Sequence, residues 1–449
     1  MSVEPLRIEH PPARPAPIRL DCDLCIVGAG AAGVSAAVEA SRLGLKVCLL
    51  DGLAQLGGQS VNGLIGTLCG FYSTGEHPHL LHYGFARDLL RELDEANGLS
   101  WRRGRGTLIA LYDEGELAAA YGRHLRQAGV QLVLGALLTQ VDREGRRIER
   151  VHVQTRYGAV SVSARFFLDA SGDAALAREA GLRTQSADRP VFGTTMFSLA
   201  GLGAAVPPRE EIEQRLADVA DAYGLDRRDG FVFAFPGRDL CLVNLMHVET
   251  PLEPLAMSGV ARDGRAHVAR LLAFLKSEFP AAFEQARVNA VGQPGVRQTR
   301  GIVGRGRLTT QAVRSGTRAA DAVARSAWPI EFHGEASGVH WESFAEGALS
   351  WVPLSAMVAA DVDNLLAAGR CIDADPLALA AVRVIGPCLA MGAAAAAAAA
   401  VCDGDFHSLD VARVQALVQD NLQRRDIGPL CFDSSSSTSN KEPACLPIS

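Results

Sequence analysis

The sequence has no concentration of positive charge. It carries 44 Lys and Arg against 50 Asp and Glu, for a net charge of −6, and its pI is near 6.0. Neutralising a phosphate backbone needs clustered cations, so this balance argues against a nucleic-acid surface. Long runs of Leu, Ile or Phe are also missing. The most membrane-like stretch, residues 384–402, is uncharged but contains Pro387 and eight consecutive alanines at 393–400. Alanine gains little from lipid, so the stretch reads as a closely packed buried helix and no membrane span is expected. Residues 1–19 are rich in proline and lack an apolar core, which speaks against a secretory signal. Ten cysteines in such a chain then read as free thiols in a cytoplasmic protein. Cys22 and Cys25 form a Cys-x-x-Cys with no second copy, and residues three apart on a strand point to opposite faces. His77, His79 and His82 have no matching ligand spacing elsewhere, so no metal site is expected.

What is present is organised around residues 21–51. An apolar strand over 24–27 runs into Gly28-Ala29-Gly30-Ala31-Ala32-Gly33, a helix-like run follows, and a second apolar strand over 47–50 ends in Asp51-Gly52. The first glycine permits a tight turn, the second lets backbone approach a pyrophosphate, and the third lets the helix pack closely on the sheet. Such a helix points unpaired N–H groups and its positive dipole end at phosphates. Asp51 is placed to accept from ribose hydroxyls. Strand, glycines, helix, strand and acid in register define a dinucleotide site, which by itself suits NAD or FAD equally.

Leu56-Gly57-Gly58-Gln59 follows, where two adjacent glycines let the chain run close along a long ligand. With this element the chain resembles the FAD-dependent oxidoreductases of the two-dinucleotide-binding-domain flavoprotein superfamily, and the resemblance implies FAD. Helix-like segments over 80–97 and 114–128, a strand over 130–134, and a β-meander starting at Leu137 come next, with hairpin alternation at 151–155 and 160–162. Another apolar strand, 165–169, enters Ala170-Ser171-Gly172, similar to the segment that returns the chain to the FAD domain in that superfamily. Asp173 is a candidate helix cap.

From about 181 to 350 strands at 194–199, 231–235 and 241–248 alternate with polar helices at 209–222 and 262–279, and no complete nucleotide signature recurs. The expectation is an α/β protein of about two or three units. Residues 1–19 are a leader and 20–180 the first part of a Rossmann-like FAD-binding domain, built of a parallel sheet plus β-meander. Residues 181–350 are an inserted α+β substrate or cap domain, 351–431 the second FAD part and 432–449 a disordered tail.

The resemblance extends to the closing segment. A strand ending in Gly369-Arg370, with Asp373 beyond it, and Val384-Ile385 leading through Pro387 into the small-residue helix imply contacts to the ribityl-pyrophosphate and to the N1-C2=O edge of the flavin. A helix N-terminus there stabilises the negative charge of reduced flavin, and Pro387 suits a first turn. Where many relatives carry Ile-Pro-Tyr-Arg this chain has Val352-Pro353-Leu354-Ser355. Candidate catalytic groups are Arg297 and Arg300, able to clamp a carboxylate, His333 for proton exchange, and Arg383 beside the flavin. The expected activity is hydride transfer between flavin N5 and a small anionic organic substrate, by a dehydrogenase or oxidase. The alternatives are a flavin monooxygenase and a flavin-binding electron-transfer or assembly subunit. The sequence leaves the electron acceptor and any homo-oligomer unspecified.

Overall fold

In the computed structural model, residues 16–424 are described except 105, 190, 204, 205 and 236. The expected tail at 432–449, and the leader before residue 16, lie outside the described residues. The main sheet has the strand order Gln131–Leu134, Val47–Asp51, Ile18–Val27, Gly158–Asp169, Arg147–Thr155, Leu137–Glu144, and Leu365–Ala367 also pairs with Gly158–Asp169. Ile18–Val27 runs parallel to Val47–Asp51 and to Gly158–Asp169, and Leu365–Ala367 is parallel to the latter as well. The meander is antiparallel. The fold is thus α/β with a parallel dinucleotide-binding sheet extended by a β-meander.

Two strands are longer than their apolar runs suggested. Ile18 and Arg19, read as leader, pair with Val160 and Ser161, because the alternation of Ile18, Leu20 and Cys22 with Arg19 and Asp21 continues the strand outward. The segments expected at 160–162 and 165–169 are one strand, Gly158–Asp169. No turn residue interrupts Ser163-Ala164-Arg165, so the two-residue period carries through.

Cys22 and Cys25 also depart from expectation, since both pack against the same core as Cys48, the in-register neighbour of Cys25. The N–H groups of Asp23 and Leu24 both donate to Lys46 O, and this local irregularity offsets the alternation. All three thiols are free, and burial pushes Cys22 and Cys48 up to about 12.

The middle of the chain forms a four-stranded antiparallel sheet in the order Phe231–Ala234, Leu240–Asn244, Phe197–Ala200, Arg287–Val291. Helices Arg209–Val219 and Pro254–Glu278 contribute Ile212, Leu216, Leu271 and Phe274 to its separate core. The second helix begins before the expected residue 262, because Glu253 caps it by accepting from Leu255 N and Ala256 N and Pro254 stands where no N–H is needed. Val313, Val323, Ala324 and Ile330, within the span assigned to the cap, pack instead in the core of the nucleotide-binding part.

The alanine-rich stretch is the helix Ile385–Val401, almost wholly buried. It lies against the fingerprint helix Ala31–Arg42. A Cβ on Gly392 would stand 2.2 Å from Ala32 O and 2.9 Å from Ala36 N, and Ser35 Oγ donates to Leu389 O at 2.7 Å. Backbone therefore meets backbone, which only a row of Ala and Gly allows. Among the described residues no single helix is long and apolar enough to cross a membrane. The pair Pro376–Val382 and Ile385–Val401, bent by 91°, passes on composition alone.

Gly392→Val is expected to force these helices apart and to destabilise the chain by about 1–3 kcal/mol, read as a lowered urea midpoint; an unchanged midpoint would contradict the backbone contact.

Candidate active site

Three separated pieces of chain meet at one cavity of about 1260 Å³. Gly28 has φ +109, and a Cβ there would stand 2.3 Å from Ala170 O. The fingerprint turn and the Ala170-Ser171 turn are thus in direct backbone contact, and only glycine serves. The Gly-Gly element closes from another side. Gly57 N donates to Ala29 O at 2.9 Å. Gly58 has φ +50 and would place a Cβ 2.9 Å from Gly30 Cα. Gly28, Gly30, Ala31, Ala32, Asp51, Gly52, Gly58, Gln59 and Leu137 line the cavity. So do Ala170, Ser171, Gly172, Gly369, Arg370, Val384 and Ile385.

Other expected cofactor residues stand behind this lining. Ala29 donates its N–H to Asp51 Oδ2 at 2.5 Å, and Leu53 N donates to Asp51 Oδ1 at 2.7 Å. Asp51 thus also braces the fingerprint turn; burial raises its pKa and these two N–H groups oppose the rise. Gly33 packs on Gly28 O, and Pro387 packs on Gly70. Asp373 is a correction. Its carboxylate accepts from Gln185 Nε2 at 2.5 Å, Arg307 Nε at 2.7 Å and Gly304 N at 2.8 Å, a structural knot outside the cavity lining. Asp173 does not cap the short helix Ala175–Glu179 either. Ser171 Oγ accepts from Ala175 N and Asp169 Oδ2 from Ala177 N, while Asp173 accepts from Thr299 Oγ1 at 2.6 Å.

Both long helices that start at the cavity, Ala31–Arg42 and Ile385–Val401, lack a side-chain cap. At the first helix the leading N–H groups are left for a ligand, whereas at the second Gly386 N donates to Cys69 O at 3.0 Å and Pro387 has no N–H, which leaves that of Ile385. A cradle that side chains would fill, two uncapped helix starts and a buried acid fit an extended dinucleotide.

The other end of the cavity is lined by cap and closing residues. The Arg102 guanidinium lies 4.1 Å from the Phe233 ring centre and Arg209 lies 4.1 Å from that of Phe231. Phe231 and Phe233 stack at 5.2 Å. Trp328 and Trp341 meet edge to face at 6.4 Å, and Trp328 Nε1 donates to Glu331 Oε2 at 3.0 Å. Arg297 is 9% exposed and donates from NH1 to Phe192 O at 2.9 Å. Arg383 donates from NH2 to Glu331 O at 3.0 Å. Among the described residues neither guanidinium is ion-paired to a carboxylate, in contrast to Arg227, whose Nε lies 2.6 Å from Asp229 Oδ1. Burial lowers the pKa of both, and for Arg297 the positive charges of Arg383 and Arg227 add to it.

Two expected catalytic residues stand elsewhere. Arg300 opens the strand Arg300–Ile302 beside a second pocket of about 260 Å³, with NH2 3.5 Å from Leu252 O. It is three residues from Arg297 along extended chain, so the two side chains leave on different sides and form no clamp. His333 is 1% exposed and one step removed from the cavity. Its Nε2 lies 3.0 Å from Glu331 Oε1, and its Nδ1 lies 2.8 Å from His247 Nε2. The residue that reaches the cavity is Glu331. Its two-residue spacing from His333, which directly follows the strand Ile330–Phe332, was the available signal; Arg102, Arg209 and His247 gave none.

The sheet, its uncapped helices and the glycine cradle define an α/β dinucleotide-binding enzyme fold. The chain belongs to the FAD dependent oxidoreductase family, whose model matches residues 23–418. It is an FAD-dependent oxidoreductase, and FAD is its cofactor. No curated protein sequence matches it. Among solved structures it is similar to a geranylgeranyl bacteriochlorophyll reductase-like protein from Thermoplasma acidophilum, with 12% identity and TM-score 0.46 over 90% of this chain and 86% of that one. It is also similar to the flavin-dependent brominase Bmp2, with 13% identity and TM-score 0.45 over 88% and 82%. A third is p-nitrophenol 4-monooxygenase from Pseudomonas putida, with 12% identity and TM-score 0.43 over 90% and 81%.

Gly58→Val is expected to weaken FAD binding by more than about tenfold, or 1.4 kcal/mol, measured by quenching of flavin fluorescence, with the far-ultraviolet circular dichroism retained. Undiminished binding would place the cofactor elsewhere.

Proposed function

We propose that this enzyme transfers a hydride between the N5 atom of FAD and a small anionic organic substrate, as a dehydrogenase or oxidase. One observation carries the reading. Arg297 and Arg383 bring two positive charges to the cavity, and among the described residues no carboxylate is ion-paired to either. A buried charge without a counter-ion is costly unless a ligand supplies one.

FAD supplies the two-electron chemistry, accepting or returning a hydride. The chain's own residues do the rest. Gly28, Gly30, Gly58 and the start of helix Ala31–Arg42 would hold the pyrophosphate region, and the positive end of helix Ile385–Val401 would favour negative charge on the flavin ring. Arg297 and Arg383 bind the substrate anion and fix which carbon is presented. Phe231, Trp328 and Trp341 supply apolar wall that excludes water around it.

Benzoate and maleate serve as probe anions, each expected to perturb the visible flavin spectrum of the purified yellow protein. Arg297→Met is expected to weaken that binding by about 10- to 100-fold, the worth of a charged hydrogen bond, with flavin content unchanged. Equal loss of flavin and anion binding would make Arg297 structural. Stoichiometric hydroxylated product formed with a nicotinamide reductant and oxygen would replace this reading by a monooxygenase.

A further inference from the structure

The hydrogen-bond polarity behind Glu331 can be worked out from one end. His247 Nδ1 faces two backbone carbonyls, Glu335 O at 2.9 Å and Ala336 O at 3.1 Å. A carbonyl only accepts, so this nitrogen carries a proton. In a neutral His247 the Nε2 atom is then an acceptor, and His333 Nδ1, 2.8 Å away, must be the donor. A neutral His333 protonated on Nδ1 presents a lone pair from Nε2 to Glu331 Oε1 at 3.0 Å. Two lone pairs would face each other there unless Glu331 carries a proton. If Glu331 is ionised, the same proton sits in the rings, either on His333, donating from both nitrogens, or on His247, with His333 donating from Nε2 and accepting at Nδ1. In every arrangement the three side chains hold one proton more than a carboxylate and two neutral rings. They interconvert by proton shifts along the two hydrogen bonds.

We infer that Glu331, His333 and His247 form a one-proton relay between the substrate end of the cavity and the loop at 334–338, with Glu331 exchanging the substrate's proton. The inference rests on the hydride-transfer reading for the source of that proton. When the substrate is oxidised, a hydrogen on carbon leaves with its electron pair to oxidised FAD. The hydrogen on the adjoining oxygen or nitrogen leaves as a proton to ionised Glu331 while the carbon–heteroatom double bond forms. One proton enters at Glu331 and one leaves at His247 to water, so charge and atoms balance.

The surroundings bias the relay without breaking it. Burial, then Arg297, Arg383 and Arg227, hold the His333 imidazole well below its ordinary value. Burial, then Arg227 and Arg297, bring His247 down to about 3, with the Ala336 carbonyl and then Asp229 acting the other way. Cys69 also stands near Glu331, and its thiol is pushed up to about 12, first by burial. These groups disfavour the imidazolium forms. His247 is half-buried, stacks on Phe192 at 5.7 Å, and joins an exposed stretch at Glu335, which gives the proton its exit.

Selective 15N-histidine labelling of the full chain, read by NMR at neutral pH and assigned with His247→Gln and His333→Gln, tests the polarity without substrate. Both rings are expected neutral and protonated on Nδ1, and Glu331→Gln, whose amide N–H replaces the acid proton, is expected to keep them so. A neutral His247 protonated on Nε2 overturns the relay. In turnover, Glu331→Gln is expected to lower kcat by about 100-fold while KM and FAD content change little. His247→Ala is expected to lower kcat less and to recover with added imidazole. Wild-type kcat in Glu331→Gln, or loss in His247→Ala without imidazole rescue, also overturns it. Failure of anion binding with the tautomers as expected removes the substrate class and leaves the relay standing.

Discussion

The approach of two helices without intervening side chains is the constraint on which the site depends. Ala31–Arg42 and Ile385–Val401 come from opposite ends of the chain, and their contact is made of Ala, Gly, Ser35 and backbone atoms. Close approach allows both helices to begin at the same cavity, so two positive dipole ends serve one extended ligand. Bulkier side chains would gain more apolar burial per residue but would separate the helix starts. The alanine run is therefore a spacing device, and the stability it forgoes is recovered in the larger side chains of the surrounding core, such as Phe71, Phe85 and Phe166.

At the substrate end the organising quantity is charge. Arg102 and Arg209 lie over aromatic rings, Arg227 is neutralised by Asp229, and Arg297 and Arg383 are left to face the cavity. Glu331 sits among them with each of its polar atoms engaged, by Trp328, His333 and Arg383. A carboxyl held by one directional contact on each oxygen, with its backbone carbonyl fixed by Arg383, keeps one orientation, which positions it for proton exchange. Because its partner His333 is fully enclosed, any proton that leaves by that route must pass through a ring and not through bulk water.

The cofactor half of this arrangement was legible from sequence because its signals are local. Glycines at 28, 30 and 58, the small residues at 170–172 and the helix start at 384–385 each mark a place where backbone must come close to something. The structure brings them to one cavity. The chain of contacts from Glu331 through His333 to His247 was not legible, because it joins residues far apart in the chain. His247 and His333 meet across 86 positions, and nothing around residue 247 forecasts it. Arg300 misled because an Arg pair three residues apart resembles a clamp until strand geometry sends the two side chains different ways. The extent of the cap misled for another reason: residues 313–330 have the mixed polarity of the cap, but their apolar members fill the core beneath the alanine helix.

The cysteines carry a consequence of a different kind. In each of the eight that are described, Cys22, Cys25, Cys48, Cys69, Cys241, Cys371, Cys388 and Cys402, burial holds the thiol above its ordinary value. The nucleophile in alkylation and oxidation is the thiolate, so a raised pKa slows both reactions at these sulfurs in the native chain. Opening of a surrounding layer awakens them, which makes the rate of maleimide capture a native clock for local unfolding in each half of the molecule. No label would need to be introduced.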